Sequence, residues 1–338
     1  MLFSPFTLKN LIIKNRIVMP PMCNYKADRD GLANDWHFVH YVSRAVGGTG
    51  LIILEATGIE ERGRISSKDL GLWQDGQIAG LKKIVDRVHE HGSKIAIQLN
   101  HAGRKSEVEE LEPVAPSALA FNSDRRIPKE LSTAEIKEVT ALFASAAKRA
   151  VAAGFDAVEI HGAHGYLINQ FLSPLSNRRT DDYGGIPENR VRLLGEVVKA
   201  VRDVIPSEMP VCVRVSASDY EAEGNTPEVI AEMLNMVKEN GIDLVHVSSG
   251  AVTPVLPRAY PGYQIPFALT IKEKTGLPVI GGGLITDPVQ ARQVVKAGVD
   301  MVFMGRALLR EPYWPLRAAF VLGQEISWPE PYVRGKYL

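Results

Sequence analysis

Residues 154–160 read Gly-Phe-Asp-Ala-Val-Glu-Ile, and the same grammar returns as GSKIAIQ at 92–98, GIDLVHV at 241–247 and GVDMVFM at 298–304. In each case a stretch with helical spacing stops at a glycine, and a short apolar, β-rich run begins almost at once. Glycine closes helices because the position after the last turn adopts left-handed backbone at no steric cost. Working outward from these four joints, apolar runs stand at 16–19, 51–56, 94–99, 157–161, 211–216, 244–248, 279–282 and 301–305. Runs this short and apolar suit strands buried on both faces of a parallel sheet. Helical spacing is found at 36–46, 77–91, 133–153, 188–204, 227–240, 267–274, 288–297 and 307–320. Eight strand–helix units in series predict an α/β fold of the TIM (β/α)₈ type. The rival is an open doubly wound sheet, but the turn after the first strand, MPPMCNY, has no Gly-x-G-x-x-Gly.

The chain has 338 residues, and no low-complexity stretch or linker divides it. It is therefore read as one barrel domain over 1–338, with a capping lid at about 106–132 after strand three and a tail at about 323–338. Thirty-nine Lys+Arg balance thirty-nine Asp+Glu, which argues against nucleic-acid or anionic-membrane binding. Two cysteines, Cys23 and Cys212, make no disulfide framework. The N-terminus lacks a signal-peptide pattern and no run approaches a membrane span, so the cytoplasm is the expected location.

Barrel chemistry gathers where strands end. Strands seven and eight end in Gly281-Gly282-Gly283 and Gly305-Arg306, where bare backbone N–H groups beside a guanidinium suit a phosphate. Strand four ends His161-Gly162-Ala163-His164-Gly165-Tyr166. Two imidazoles three apart could bind a metal, with Glu55 as a further ligand, but a third strong ligand is not evident, and no metal is expected. The favoured reading has His161 and His164 donating hydrogen bonds to a substrate carbonyl or nitro oxygen, where negative charge develops. Tyr166, protonated at neutral pH, then serves as general acid. That chemistry needs a hydride source, and the other strand ends suit a flavin. Arg214 offers fixed positive charge, Gln98 an amide that both donates and accepts, and Cys23 a soft neighbour. A metal-dependent hydrolase and a non-catalytic phosphate binder remain the competing functions.

The chain at this point resembles the old yellow enzymes, in particular their thermophilic-like bacterial branch of NADPH dehydrogenases and ene-reductases. The most specific stretch is HGAHGYLINQFLSPLSNRRTDDYGGIPENRVR at 161–192. Supporting stretches are KNRIVMPPMCNY, GLIILEATG, RGRIS, IQLNHAGRK, VRVSASDY, VSSGA, YPGYQ and FMGRALLREPYW, so the likeness spans nearly the whole chain. The resemblance implies non-covalent FMN, NADPH as reductant, and hydride transfer to activated C=C bonds of α,β-unsaturated carbonyl or nitro compounds. It implies FMN contacts from Pro20, Pro21, Met22, Cys23, Ala56, Gln98, Arg214, Gly282, Gly283, Gly305 and Arg306. His161 and His164 would hold the activating group, Tyr166 would protonate the α-carbon, Tyr25 would close over the substrate, and Lys105 would sit beside it.

The resemblance further implies a homo-oligomer in which Arg334 reaches a neighbouring active site. Around it, Val333 and Lys336 replace an acidic residue and a tryptophan. Pro20 replaces a common serine, Asn24 a methionine, and Asn100 and Gly162 alanines, which leaves every catalytic group in place. Arg125 and Arg126 in the lid are candidates for a 2′-phosphate, with plain solvation as the competing reading.

Overall fold

The computed structural model describes residues 1–28 and 30–337; Leu338, the last residue of the expected tail, lies outside them. An antiparallel hairpin, β1 (Phe6–Leu8) and β2 (Leu11–Ile13), precedes the barrel. The barrel strands are β3 (Ile17–Met19), β4 (Leu51–Gly58), β5 (Lys94–Asn100), β8 (Ala157–Gly162), β9 (Val211–Ser216), β10 (Leu244–Ser248), β11 (Val279–Gly281) and β12 (Met301–Phe303). They pair in parallel in this order and close between β12 and β3. Between β5 and β8 the lid adds a short parallel pair, β6 (Val114–Ala115) and β7 (Lys129–Glu130).

The helices are α1 (Asp35–Val46), α2 (Ile78–Glu90), α3 (Thr133–Ala153), α4 (Leu167–Leu172), α5 (Pro187–Arg190), α6 (Arg192–Arg202), α7 (Pro227–Val237), α8 (Ile265–Thr275), α9 (Pro288–Lys296), α10 (Gly305–Arg310) and α11 (Trp314–Val321). The stretch expected at 188–204 is thus two helices, and that at 307–320 is likewise broken, around Pro312. A proline contributes no N–H to a helix ladder and its ring crowds the preceding turn.

Alternation along each strand sorts the core into two layers. Ile52, Leu54, Ile95, Ile97, Val213 and Val215 pack toward the helices. Leu51, Ile53, Ala96, Ala157, Leu244 and Met301 fill the barrel interior, joined there by Leu11 and Ile13 of the hairpin. The hairpin therefore plugs the N-terminal end, a feature the strand count alone did not reveal.

The Gly-x-Asp joint has a second physical purpose. Asp156 accepts from the Ile95 N–H at 2.8 Å, Asp243 from Val211 N–H at 2.9 Å and Asp300 from Val279 N–H at 2.9 Å. Each carboxylate thus caps an amide at the start of the preceding strand (the first of β9 and β11, the second of β5), a donor that a burying turn would otherwise strand. Lys94, Arg202 and Lys272 neutralise the three in turn. These contacts stabilise the face opposite the strand ends, leaving the C-terminal rim for chemistry. Gly154 closes α3 at φ 87°, as the sequence pattern requires.

Candidate active site

At the C-terminal rim, a cleft of about 410 Å³ opens between the ends of β3, β9, β11 and β12. That volume falls within the roughly 300–1,000 Å³ of small-molecule sites. Seven residues singled out from sequence line it: Pro20, Pro21, Met22, Arg214, Gly283, Gly305 and Arg306. Gly283 has φ 102°, and a Cβ there would stand 2.9 Å from the Tyr263 ring, so the backbone must stay bare for the wall to close. Gly282 packs instead against Phe303, whose carbonyl oxygen would lie 2.6 Å from an added Cβ. A larger cleft, about 730 Å³, lies between α11 and the C-terminal tail, with no barrel strand end in its wall.

Arg214 is the buried cation of the rim. Its Nε has no hydrogen-bond partner, and its guanidinium lies 5.9 Å from the Phe303 ring centroid. Beneath it, Glu159 is fully buried and accepts from Gln98 Nε2 at 2.8 Å, His246 Nδ1 at 2.8 Å and Cys212 Sγ at 3.4 Å. Burial alone would raise this carboxyl, but His246 and Arg214 outweigh it and hold it below the ordinary value. Because Glu159 takes the Gln98 NH₂, the Gln98 carbonyl oxygen is left for another donor. An orphaned guanidinium N–H, an amide with one free oxygen, and Arg306 and Arg310 at the far end fit the pyrimidine edge and phosphate of a flavin mononucleotide.

His161, Tyr166 and His164 meet at the end of β8. Their rings contact edge to face, with centroids 4.9 Å apart for His161–Tyr166 and 5.2 Å for His161–His164. His161 Nδ1 accepts from the Ala163 N–H at 3.3 Å, which assigns its proton to Nε2, facing His164 Nδ1 at 3.4 Å. His164 Nε2 then donates to Ser248 Oγ at 2.7 Å. Burial, aided by the Arg214 charge, pushes both imidazoles well below 6.5, so both are neutral donors. The expected convergence on one oxygen is therefore a chain, His161 to His164 to Ser248, that an incoming acceptor has to interrupt.

Burial pushes the Tyr166 phenol well above its ordinary value, which keeps its proton in place. Cys23 and Tyr166 pack on Ala56, Ile65 and Ala102, so the first loop reaches the same centre. Burial likewise raises the Cys23 thiol, leaving it un-ionised. Tyr25 is exposed at φ 53°. Lys105 Nζ donates to the His164 and Ala251 carbonyls at 3.0 and 3.2 Å, and lies 5.3 Å from the Tyr166 ring centroid.

Other expectations part from this centre. Arg334 sits in an exposed 3₁₀ turn, Glu330–Gly335, in the C-terminal tail rather than on the barrel rim. Arg126 donates to the Val108, Glu109 and Leu111 carbonyls, and Arg125 pairs with Glu107, so both arginines brace the lid. Glu55, the extra metal ligand considered, stands away from the histidine pair. It accepts from Asn24 N at 2.8 Å, Asn24 Nδ2 at 2.5 Å and Tyr41 Oη at 2.9 Å. Among the described residues, no cluster of three His, Cys, Asp or Glu side chains could hold a metal ion.

Sequence reading missed Ser216, Ser248, Tyr263, Gln264 and Arg310. Arg310 carried a signal, since it lies four residues beyond Arg306 on the same helix face. Ser216 and Ser248 are terminal strand residues inside the quoted stretches VRVSASDY and VSSGA, but only the closed register shows that they meet His164. No helix among the described residues is long and apolar enough to cross a membrane.

Comparison with known proteins gives the family. Residues 1–325 match the family described as NADH:flavin oxidoreductase / NADH oxidase. An NADPH dehydrogenase of Geobacillus sp. (strain WCH70) is 54% identical over 337 residues, covering 99% of this chain and 98% of that protein. One from Clostridium acetobutylicum is 53% identical, covering 98% of each. The solved old yellow enzyme homologue of Zymomonas mobilis superposes with a TM-score of 0.81 at 29% identity, covering 100% of this chain and 96% of that one.

Proposed function

Since this chain belongs to the NADH:flavin oxidoreductase / NADH oxidase family, the old yellow enzymes, it is an FMN-binding oxidoreductase, and we propose that it reduces activated C=C bonds. Its substrates are α,β-unsaturated carbonyl or nitro compounds, and NADPH is the reductant. The single observation that carries this reading is the set of neutral His161 and His164 donors and the protonated Tyr166 phenol, gathered beside the cleft.

Arg214 and Gln98 would hold the pyrimidine edge of a non-covalent FMN, and Gly283, Gly305 and Arg306, with Arg310, would hold its phosphate, a reading supported by the cleft that these arginines and glycines line and the unpartnered Arg214 Nε. Pro20, Pro21, Met22, Cys23, Ala56 and Gly282 border it. The chemistry it supplies when bound is hydride transfer, from NADPH to the β-carbon of the alkene. His161 Nε2–H and His164 Nε2–H exchange their present acceptors for the substrate oxygen and stabilise the negative charge growing there. Tyr166 delivers its proton to the α-carbon. Tyr25, exposed on the first loop, closes over the substrate.

The whole chain acts as one barrel domain in the cytoplasm, and a homo-oligomer brings Arg334 to a neighbouring site. Supporting that arrangement, Arg334 is exposed on the C-terminal tail. The test is spectroscopic. Purified protein supplied with FMN should be yellow, bleach with anaerobic NADPH, and regain colour on adding 2-cyclohexenone. Failure to recolour with any enone or nitroalkene would remove the ene-reductase reading while leaving the oxidoreductase family intact.

A further inference from the structure

We propose that Lys105 is a positioning residue, whose ammonium clamps the turn carrying His164 to the loop after β10 and so aims the His164 imidazole. The proposal rests on the reading that His164 receives the substrate oxygen, and it deepens that reading by giving Lys105 a role without substrate contact.

Three independent features carry it. First, the two carbonyls that Lys105 Nζ meets belong to His164 and Ala251, at 3.0 and 3.2 Å. Both residues have side chains yet adopt positive φ, 59° and 70°. Such backbone persists only where surrounding contacts over-determine it. Second, the two turns touch. A Cβ on Gly165 would lie 2.1 Å from the Ala251 carbonyl oxygen, so any displacement of one turn moves the other. Third, the neighbouring Arg104 extends the same grip. It donates to Val252 O at 2.6 Å and to the lid carbonyls of Leu119 and Ala120 at 3.2 and 3.4 Å. Lys105 Nζ lies 4.5 Å from the Phe121 ring centroid and Arg104 Cζ 5.8 Å, so the lid is tied to the same pair of cations.

An ammonium suits this post because it has three donors and no acceptor, and two carbonyls plus an aromatic face satisfy it. Burial, with Arg125 and Arg104 nearby, lowers its pKa from 10.5 to about 8. The charged and titratable groups around it are Arg104, Arg125 and Glu107 on its own segment, and His161, His164 and Tyr166 across the site. At about 8, the Lys105 ammonium loses its charge within an accessible pH range. The clamp is at full strength below that value and weakens as pH rises through it.

The experiment uses full-length protein with FMN, comparing wild type with Lys105→Met, Lys105→Gln and Lys105→Arg. Hydrogen exchange should accelerate by about ten-fold in peptides spanning 161–166 and 249–252 in the Met and Gln variants, with the barrel strands unchanged. The dissociation constant of 2-cyclohexenone, from the concentration dependence of re-oxidation, should rise by about ten-fold, while reduction by NADPH stays within about two-fold. In wild type that constant should climb above about pH 8, and in Lys105→Met it should be flat. Lys105→Arg should recover most of the loss.

Unaltered exchange at 161–166 with weakened enone binding would overturn the proposal and assign Lys105 a direct substrate contact. A pH-dependent rise that persists in Lys105→Met would also overturn it. If no enone re-oxidises wild type, the proposed function falls alone, and the exchange comparison still decides the clamp.

Discussion

Glu159→Gln is the substitution that tests how the barrel interior supports the flavin edge. Glu159 is buried and accepts three bonds, from Gln98, His246 and Cys212. A glutamine keeps one acceptor oxygen and turns two N–H groups toward these donors, so at least one buried donor loses its partner. The change also deprives Arg214 of its compensating charge. Breaking a buried charge pair from one side costs about 3–5 kcal/mol. For a chain of this length each kcal/mol moves Tm by about 2 °C, so thermal unfolding at pH 7 should fall by about 6–10 °C.

The sign of the pH dependence follows from the lowered carboxyl. Its contribution is complete above the ordinary value of 4.5 and disappears as pH falls through the lower native value. The gap between wild type and variant should therefore hold from about pH 5 to about 8 and close in acid. Adding Arg214→Met should recover about 1–3 kcal/mol, because the two charges share one buried space. Circular dichroism melts at fixed scan rate provide the measurement. A shift below about 2 °C, or a double variant no better than the single one, would refute the reasoning.

Tyr166→Phe should slow alkene reduction by about 10²–10⁴ while leaving flavin reduction by NADPH intact; stopped-flow half-reactions separate the two, and equal losses would contradict proton donation. Ser216→Ala removes the acceptor of His164 N–H and the donor to Gly250 O, both at 2.9 Å. It should cost about 1–3 kcal/mol in urea unfolding and raise the enone KM more than it lowers kcat. Burial raises Glu55 from 4.5 to about 7, so the native state resists its ionisation and stability declines as pH climbs between those values, by about 3 kcal/mol. Glu55→Gln should flatten that decline, and an unchanged pH–stability curve would count against it.

Much of the site was legible because strand ends are read locally. His161, His164 and Tyr166 lie within six residues, so one turn fixes their neighbourhood. Gly283 and Arg306 carry local backbone and charge signals of the same kind. Ser248 and Gln264 carried none, because their value comes from contacts between distant segments: Ser248 with His164, and Gln264 with Ser248. Glu159 was quoted in its strand, but nothing in VEIHG says that Gln98, 61 residues earlier, turns its amide inward to meet it.

What the sequence by itself determined is the order of eight strand–helix units, the helix-ending glycines and the residues presented at the rim. Those depend on local periodicity, backbone sterics and charge, which a single stretch of chain contains. Closure was decided elsewhere. The β12–β3 pairing joins residues nearly 300 positions apart, the hairpin plugs the base, and Asp156, Asp243 and Asp300 cap strands that precede them. Only when the barrel closes does the Lys105 ammonium find two carbonyls from separate loops, because hydrogen bonds act over a few ångströms and are blind to distance along the chain.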